Sequence, residues 1–357
     1  MSSAISDSSN DSMAKRHSRR RKGKASRSGR IRALRGSFAV LVITVVWAIA
    51  GVWYVHHPAK WLNRNREAWP RFVTAPLEAI GNPIGDLTDA LGITGHDAVY
   101  EYDEAAPSGA VAFAGLPKRT GLPAPNDIVV LDRGEFKIGW SPKLGHPMWV
   151  AYHVPQKQSF EVGKRPPFSR DKSVISSPNS SAYDHSGYDR GHMAPNFALA
   201  SRFGAEMQKQ TFLMTNISPQ KPALNQGVWR NVEHRIANYW TARWGEIWVV
   251  VGCIPGDDNL TIRDSGIDIP KAFFQVVVAQ EGLNVRAFAL LFPQNVTWHE
   301  WPTRYLITID ELEELCGLDF MPDLPEFIQS PLESELPSRL WPIALGDVIN
   351  QIISNCQ

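Results

Sequence analysis

Between Tyr188 and Glu233 the chain gathers side chains able to move a proton and hold an anion. The span opens with Tyr188-Asp-Arg-Gly-His-Met-Ala-Pro195, continues with Thr215-Asn-Ile-Ser-Pro-Gln220 and closes with Asn225-Gln-Gly-Val-Trp-Arg-Asn-Val-Glu233. His192 is the natural general base, because an imidazole near its unperturbed pKa accepts a proton at neutral pH. Arg190 can face a phosphate, and Gly191 permits a tight turn between the two. Glu233 follows Asn225 by eight residues, two helical turns on and on nearly the same face. Such a set suits phosphodiester hydrolysis, which needs an activated water, a cation on the developing charge and help for the leaving oxygen. A rate governed by His192 would rise with pH as the imidazole deprotonates.

Each of these residues alone has a plainer reading. A lone histidine is more often a hydrogen-bonded structural residue, Asn225 would cap the helix after it, and Asn216 would be a turn residue before Pro219. Glu233 would be a solvated helix residue. Three motifs in this order and at these separations favour chemistry instead. His153, His185 and His234 are read as structural.

The elements that must position these residues are legible in outline. Ile128–Leu131, Phe136–Trp140 and Met148–His153 are short, apolar and aromatic, with turn residues between them, which predicts strands. Ile247–Val251, Ala272–Ala279 and Arg286–Leu291 read as buried strands. Between the two sets, Val228, Val232, Ile236 and Trp240 recur every four residues and predict a helix over Asn225–Trp244. Strands, helix and strands again make an α+β domain. Residues 105–125 read as loop or linker, and the stretch beyond about Pro322 is Pro-rich.

The N-terminal part has another character. Residues 1–36 hold 11 Lys and Arg against two acids and almost no apolar residues, which predicts a disordered basic tail. Phe38–Val55 then runs 18 residues without a charge, near the lower limit for crossing a bilayer core of roughly 30 Å. With Trp53-Tyr54 as an interfacial pair and the basic flank held inside, it is expected to be a single-pass anchor. The catalytic domain would then lie outside the cytoplasm, periplasmic or extracellular. A signal peptide cleaved near Ala50 is the rival, and a buried core helix the third reading. The expected units are a tail (1–36), a transmembrane helix or signal anchor (37–55), a membrane-proximal connector (56–125), a catalytic domain (126–321) and a C-terminal extension (322–357).

Outside the tail, 26 basic residues face 34 acidic ones, so any affinity for phosphate must come from a site and not from overall charge. Three cysteines, Cys253, Cys316 and Cys356, are too few and scattered for a disulfide framework. One bridge with one free thiol and three reduced thiols are both compatible with them.

The three motifs together resemble the DNA/RNA non-specific endonuclease family, relatives of endonuclease G among the ββα-metal (His-Me finger) nucleases. The resemblance runs from about Asn126 to Asp310 and includes Trp149-Val-Ala-Tyr152, Val249-Val-Val-Gly-Cys253 and Ile269-Pro-Lys-Ala-Phe-Phe274. It implies a ββα-metal fold, a mainly antiparallel sheet flanked by helices, here preceded by the one N-terminal transmembrane helix. It implies His192 as base, Asn216 orienting the imidazole or the scissile phosphate, and Asn225 as the single protein ligand of Mg²⁺ (or Mn²⁺). Glu233 would hold waters of that ion, and the substrate would be DNA and/or RNA, cut without sequence specificity to leave 5′-phosphates.

Two positions depart from the family. Its phosphate-contacting Arg upstream could be Arg165 or Arg170, which flank Phe168, and its Arg four residues after the Glu is Ala237 here. Arg230 or Arg235 could replace that arginine, although Arg235 stands about 200° around a helix from Glu233. The alternative function is a catalytically impaired nuclease fold that binds nucleic acid or a partner at the membrane surface. Whether the chain forms a homodimer is left open by the sequence.

Overall fold

The computed structural model describes residues 99–101, 110–257, 260–263, 265–298 and 300–342. Its strands are β1 (Tyr100–Glu101), β2 (Lys118–Arg119), β3 (Val129–Asp132), β4 (Phe136–Ser141), β5 (His146–Val154) and β6 (Asp189–His192). They continue with β7 (Ile217–Gln220), β8 (Ile247–Ile254), β9 (Ala272–Glu281), β10 (Asn284–Pro293), β11 (Leu306–Ile307) and β12 (Leu318–Asp319). One antiparallel sheet takes the order β1-β10-β9-β8-β5-β4-β3, with β11 also on β10. All nine residues of β5 are buried, and β8 to β10 are buried over nearly their whole length. Both faces of this sheet are therefore covered, which is why its strands read as unbroken apolar runs and not as alternation.

Each face has its own cover. A succession of short helical segments over 224–244, kinked at Gly227, lies on one face. Its α-helical parts are α2 (Arg230–Arg235) and α3 (Thr241–Trp244), and its π-wound parts are Leu224–Trp229 and Ile236–Trp240. Val228, Val232, Ile236 and Trp240, the residues spaced by four, are all buried. Trp229 meets Phe273 and Phe292 edge-on, and Trp240 meets Phe288 in the same way, fixing the run against β9 and β10. On the other face Phe274 packs on Phe320, beside α4 (Ile309–Cys316) and α5 (Glu326–Ser334). A further helix, α1 (Asn196–Thr211), follows β6.

The segments read as connector and extension are packed where they are described. Ala112, Phe113 and Ala124 belong to the core, and β2 pairs with β12. β1 pairs with β10, while Trp341 packs edge-on against Trp240 and Phe288. Cys253 and Cys316 are buried free thiols, and Cys356 lies outside the described residues.

The expected membrane anchor requires correction. Among the described residues no helix is long and apolar enough to cross a membrane. The longest α-helix, α1, spans 16 residues with a break at Gly204 and carries charged side chains. Phe38–Val55 lies outside the described residues, as do 1–36 and the cleavage point near Ala50. The N-terminal transmembrane helix, the membrane as a partner and the membrane-anchored localisation are therefore withdrawn.

Candidate active site

β6 and β7 form a separate two-stranded antiparallel pair, with Asp189 opposite Gln220 and His192 opposite Ile217. The helical run begins four residues after β7, so strand, strand and helix converge on one place. Gln294, just beyond β10, donates to Pro219 O at 2.7 Å and accepts from Lys221 N at 2.9 Å, tying the pair to the main sheet. Gly191 serves close packing rather than a turn. A Cβ there would lie 2.2 Å from Gln220 Oε1, so any side chain would displace the buried Gln220 side chain.

His192 is held by rings. Phe212 stands edge-on at 4.7 Å between centroids, and Phe168 lies tilted at 5.2 Å. Its Nε2 is enclosed with no hydrogen-bond partner. Burial, reinforced by the nearby Arg165 charge, pushes the imidazole pKa down to about 3. The sequence expectation of a rate that follows His192 deprotonation near neutrality therefore fails for the free protein: the ring is already neutral there.

Asn225 and His192 line one cleft of about 860 Å³. Asn225 Nδ2 donates to Asp189 Oδ2 at 2.9 Å, and Gln226 Nε2 donates to the same oxygen at 2.7 Å. With its nitrogen end claimed, the planar amide leaves Oδ1 as the atom for the cleft. Glu233 lines the same cleft and accepts from Trp229 Nε1 at 2.9 Å. Burial raises its carboxyl pKa to about 8, against the opposing pull of the Trp229 hydrogen bond and of Arg230 and Arg165.

The arginines separate cleanly. Arg165, Arg190 and Arg230 line the cleft. Arg190 donates through Nε and Nη2 to Ser180 O, pairs with Asp184, and lies over the rings of Phe168 and Tyr183. Arg170 is spent on the carbonyls of Ser177 and Ile175 and does not line the cleft. Arg235 is buried, donates to Asn231 Oδ1 at 2.8 Å and lies 4.6 Å over Trp301. Ala237 lines the cleft, so the position is on the right face but carries no charge. Asn216 is buried outside the cleft, with its amide engaged by Ala194 N, Ala194 O and Thr211 O. It fastens the backbone two residues beyond His192 and touches no ring nitrogen.

Several cleft residues went unread in the sequence. The cleft-lining positions Arg230, Glu233, His234, Ala237 and Asn238 follow one another at helical spacing, a signal that could have moved His234 from structure to cleft. The grip of Asp189 on Asn225 spans 36 residues and leaves no local trace. Asp310, Glu313 and Glu333 form a separate acidic group on α4 and α5, none of them in the cleft.

The model of the DNA/RNA non-specific endonuclease family matches residues 117–327, which take in the whole cleft. The chain belongs to this family. A nuclease of Nostoc sp. is 28% identical over 222 residues, covering 59% of this chain and 79% of the relative. A nuclease of Serratia marcescens is 29% identical over 197 residues, covering 52% and 73% respectively. Bovine mitochondrial endonuclease G is 25% identical over 241 residues, covering 60% and 80%. Among solved structures, the crystal structure of the EndoG/EndoGI complex has a similar fold, with a TM-score of 0.54 and 19% identity over 63% of this chain and 96% of that one. The endonuclease family is one of metal-dependent, sequence-nonspecific phosphodiester hydrolases, and its members work with a divalent cation. The cleft's donor set suits such an ion: a free amide oxygen and a carboxylate are the oxygen donors that Mg²⁺ or Mn²⁺ accepts.

Proposed function

We propose that the cleft hydrolyses DNA and/or RNA with His192 as general base and Asn225 as the one protein ligand of a Mg²⁺ or Mn²⁺ ion. The observation that carries this reading is the fixed amide of Asn225, anchored by Asp189 in the same cleft as a neutral His192. With Nε2 enclosed, Nδ1 is the nitrogen that takes the proton of the attacking water. Phe168 and Phe212 hold the ring plane, and Asn216 holds the backbone that carries it. A substrate phosphate neutralises the Arg165 charge felt by His192 and so makes the imidazole a stronger base in the complex.

Arg165 and Arg230 bind the phosphate oxygens, while Arg190 adds positive potential and braces Phe168. The ion bound at Asn225 would supply Lewis-acid stabilisation of the negative charge that develops on the phosphoryl and leaving oxygens. Glu233, which lines the same cleft as Asn225, orients water beside it. Contacts made to phosphate and sugar carry no sequence information, which accounts for cutting without sequence preference. The test is plasmid nicking by the full chain with Mg²⁺, with excess chelator, and with His192→Ala. Activity that survives chelator or survives His192→Ala overturns the assignment.

A further inference from the structure

Phe197 is the second residue of α1, and it is 42% exposed in a turn whose neighbours Asn196 and Ala198 are buried. Its ring contributes to no described core cluster, yet it forms part of the cleft wall with Arg165 and Arg230. The other aromatic rings of the cleft are already in use. Phe168 is flanked by His192, Phe212 and Arg190, and Tyr188 carries the Lys221 ammonium 4.2 Å from its centroid. Among the described residues no ring or cation stacks on Phe197. No side chain caps the N-terminus of α1, so its first-turn N–H groups add partial positive charge at the same spot.

We propose that Phe197 is the stacking platform for one unpaired base beside the scissile phosphate, which makes single-stranded nucleic acid the preferred substrate of this cleft over duplex. The proposal rests on the phosphodiesterase reading of the same cleft. In a nucleic-acid strand the large apolar surfaces are the base faces, and they alternate with the phosphates that Arg165 and Arg230 attract. In a duplex both faces of every base are covered by neighbours, so a base reaches Phe197 only after leaving the stack. Every base has such a face, so stacking selects strandedness without selecting sequence.

The test uses the full chain carrying Phe197→Ala, Phe197→Trp and Phe197→Leu, each compared with wild type on a single-stranded oligonucleotide and on the same sequence as duplex. Loss of one aromatic–base stack should lower kcat/KM on the single strand by about 5- to 150-fold, with a smaller loss on duplex. Phe197→Trp should stay near wild type and Phe197→Leu should resemble Phe197→Ala, because an apolar group without a π-face cannot stack. Binding to a 2-aminopurine oligonucleotide in a His192→Ala background should quench the fluorescent base with Phe or Trp at position 197 and not with Ala or Leu. Equal losses on both substrates, or full rescue by leucine, would overturn the platform while wild-type cleavage upheld the nuclease reading. A wild-type chain that cleaves neither substrate overturns both.

Discussion

Asn225 Nδ2 donates to Asp189 Oδ2 at 2.9 Å, and this one contact decides which end of the amide faces the cleft. The nitrogen end is taken, and Gln226 secures the same carboxylate oxygen from the next position. Asp189 lies three residues before His192 on β6, so the contact also couples the segment that carries Asn225 to the strand that carries His192.

From this contact follows a prediction about metal affinity. Asp189→Ala should weaken Mn²⁺ binding by about 10- to 100-fold, the usual cost of losing the group that orients a ligand. Asp189→Asn, which keeps an accepting oxygen, should recover part of it. Mn²⁺ titration followed by electron paramagnetic resonance measures both, without any turnover. Unchanged affinity in Asp189→Ala would remove the orienting role.

A second prediction concerns His192 in the metal-free protein. Its folded pKa is depressed to about 3 by burial and Arg165, so the ring resonances should show no titration between pH 5 and 8. Heteronuclear NMR, with His192→Ala used to assign the signal, reads this directly. A midpoint at 6.5 or above contradicts the enclosure of the ring by Phe168 and Phe212.

Ala237 gives a third. The position lines the cleft, whereas Arg235 is turned onto Trp301 and is not available there. Ala237→Arg should therefore raise kcat by about 10- to 100-fold with little change in KM, because the added donor acts mainly on transition-state charge. Arg235→Ala should lower Tm and leave that gain intact. Arg230→Ala should weaken binding. If Ala237→Arg leaves kcat unchanged, Arg230 already serves this purpose.

A fourth prediction is about stability away from the cleft. Burial raises the pKa values of Asp310, Glu313 and Glu333, reinforced by Glu314 and Glu326 at Asp310 and by Asp310 and Asp319 at the other two, to about 7 for Glu313 and about 9 for Glu333. A carboxyl whose folded pKa is raised adds stability that is full below its unfolded value, near 4.3, and lost as pH rises through the folded one. Tm should thus decline between pH 5 and 9, and Glu333→Gln should flatten the decline. A Tm that is constant across that range in the wild-type chain would contradict the burial of Glu333.

The sequence carried the central elements because periodicity is local. The strands around Met148–His153, Ile247–Val251 and Ala272–Ala279 lie inside the observed β5, β8 and β9, and Asn225–Trp244 falls within the helical run. α1 escaped because Gly204, with φ +85°, breaks its regular winding and no clean apolar stripe crosses the break. α5 escaped because Pro331 sits inside it, and a Pro-rich stretch reads as coil. At the site, residue types were readable and directions were not. Arg165 and Arg170 are five residues apart and equally plausible on paper, but only Arg165 reaches the cleft, because local carbonyls hold Arg170. Asn216 was read for its motif, and only its three hydrogen bonds to backbone reveal that it works on the chain and not on the ring. The membrane reading rested on the apolar length of Phe38–Val55, its Trp53-Tyr54 pair and its basic flank, and no described helix supplies the span it required.

The most direct measurement is the initial rate of plasmid nicking by the full chain, wild type beside His192→Ala and Asn225→Ala, with Mg²⁺ and with chelator. Wild type should nick with Mg²⁺ and stop in chelator. His192→Ala should lose about 10² to 10⁴ in rate, the usual worth of a general base, and Asn225→Ala should lose cleavage while unfolding at a similar temperature. A folded wild-type chain no faster than its own His192→Ala variant in the presence of Mg²⁺ would contradict the account.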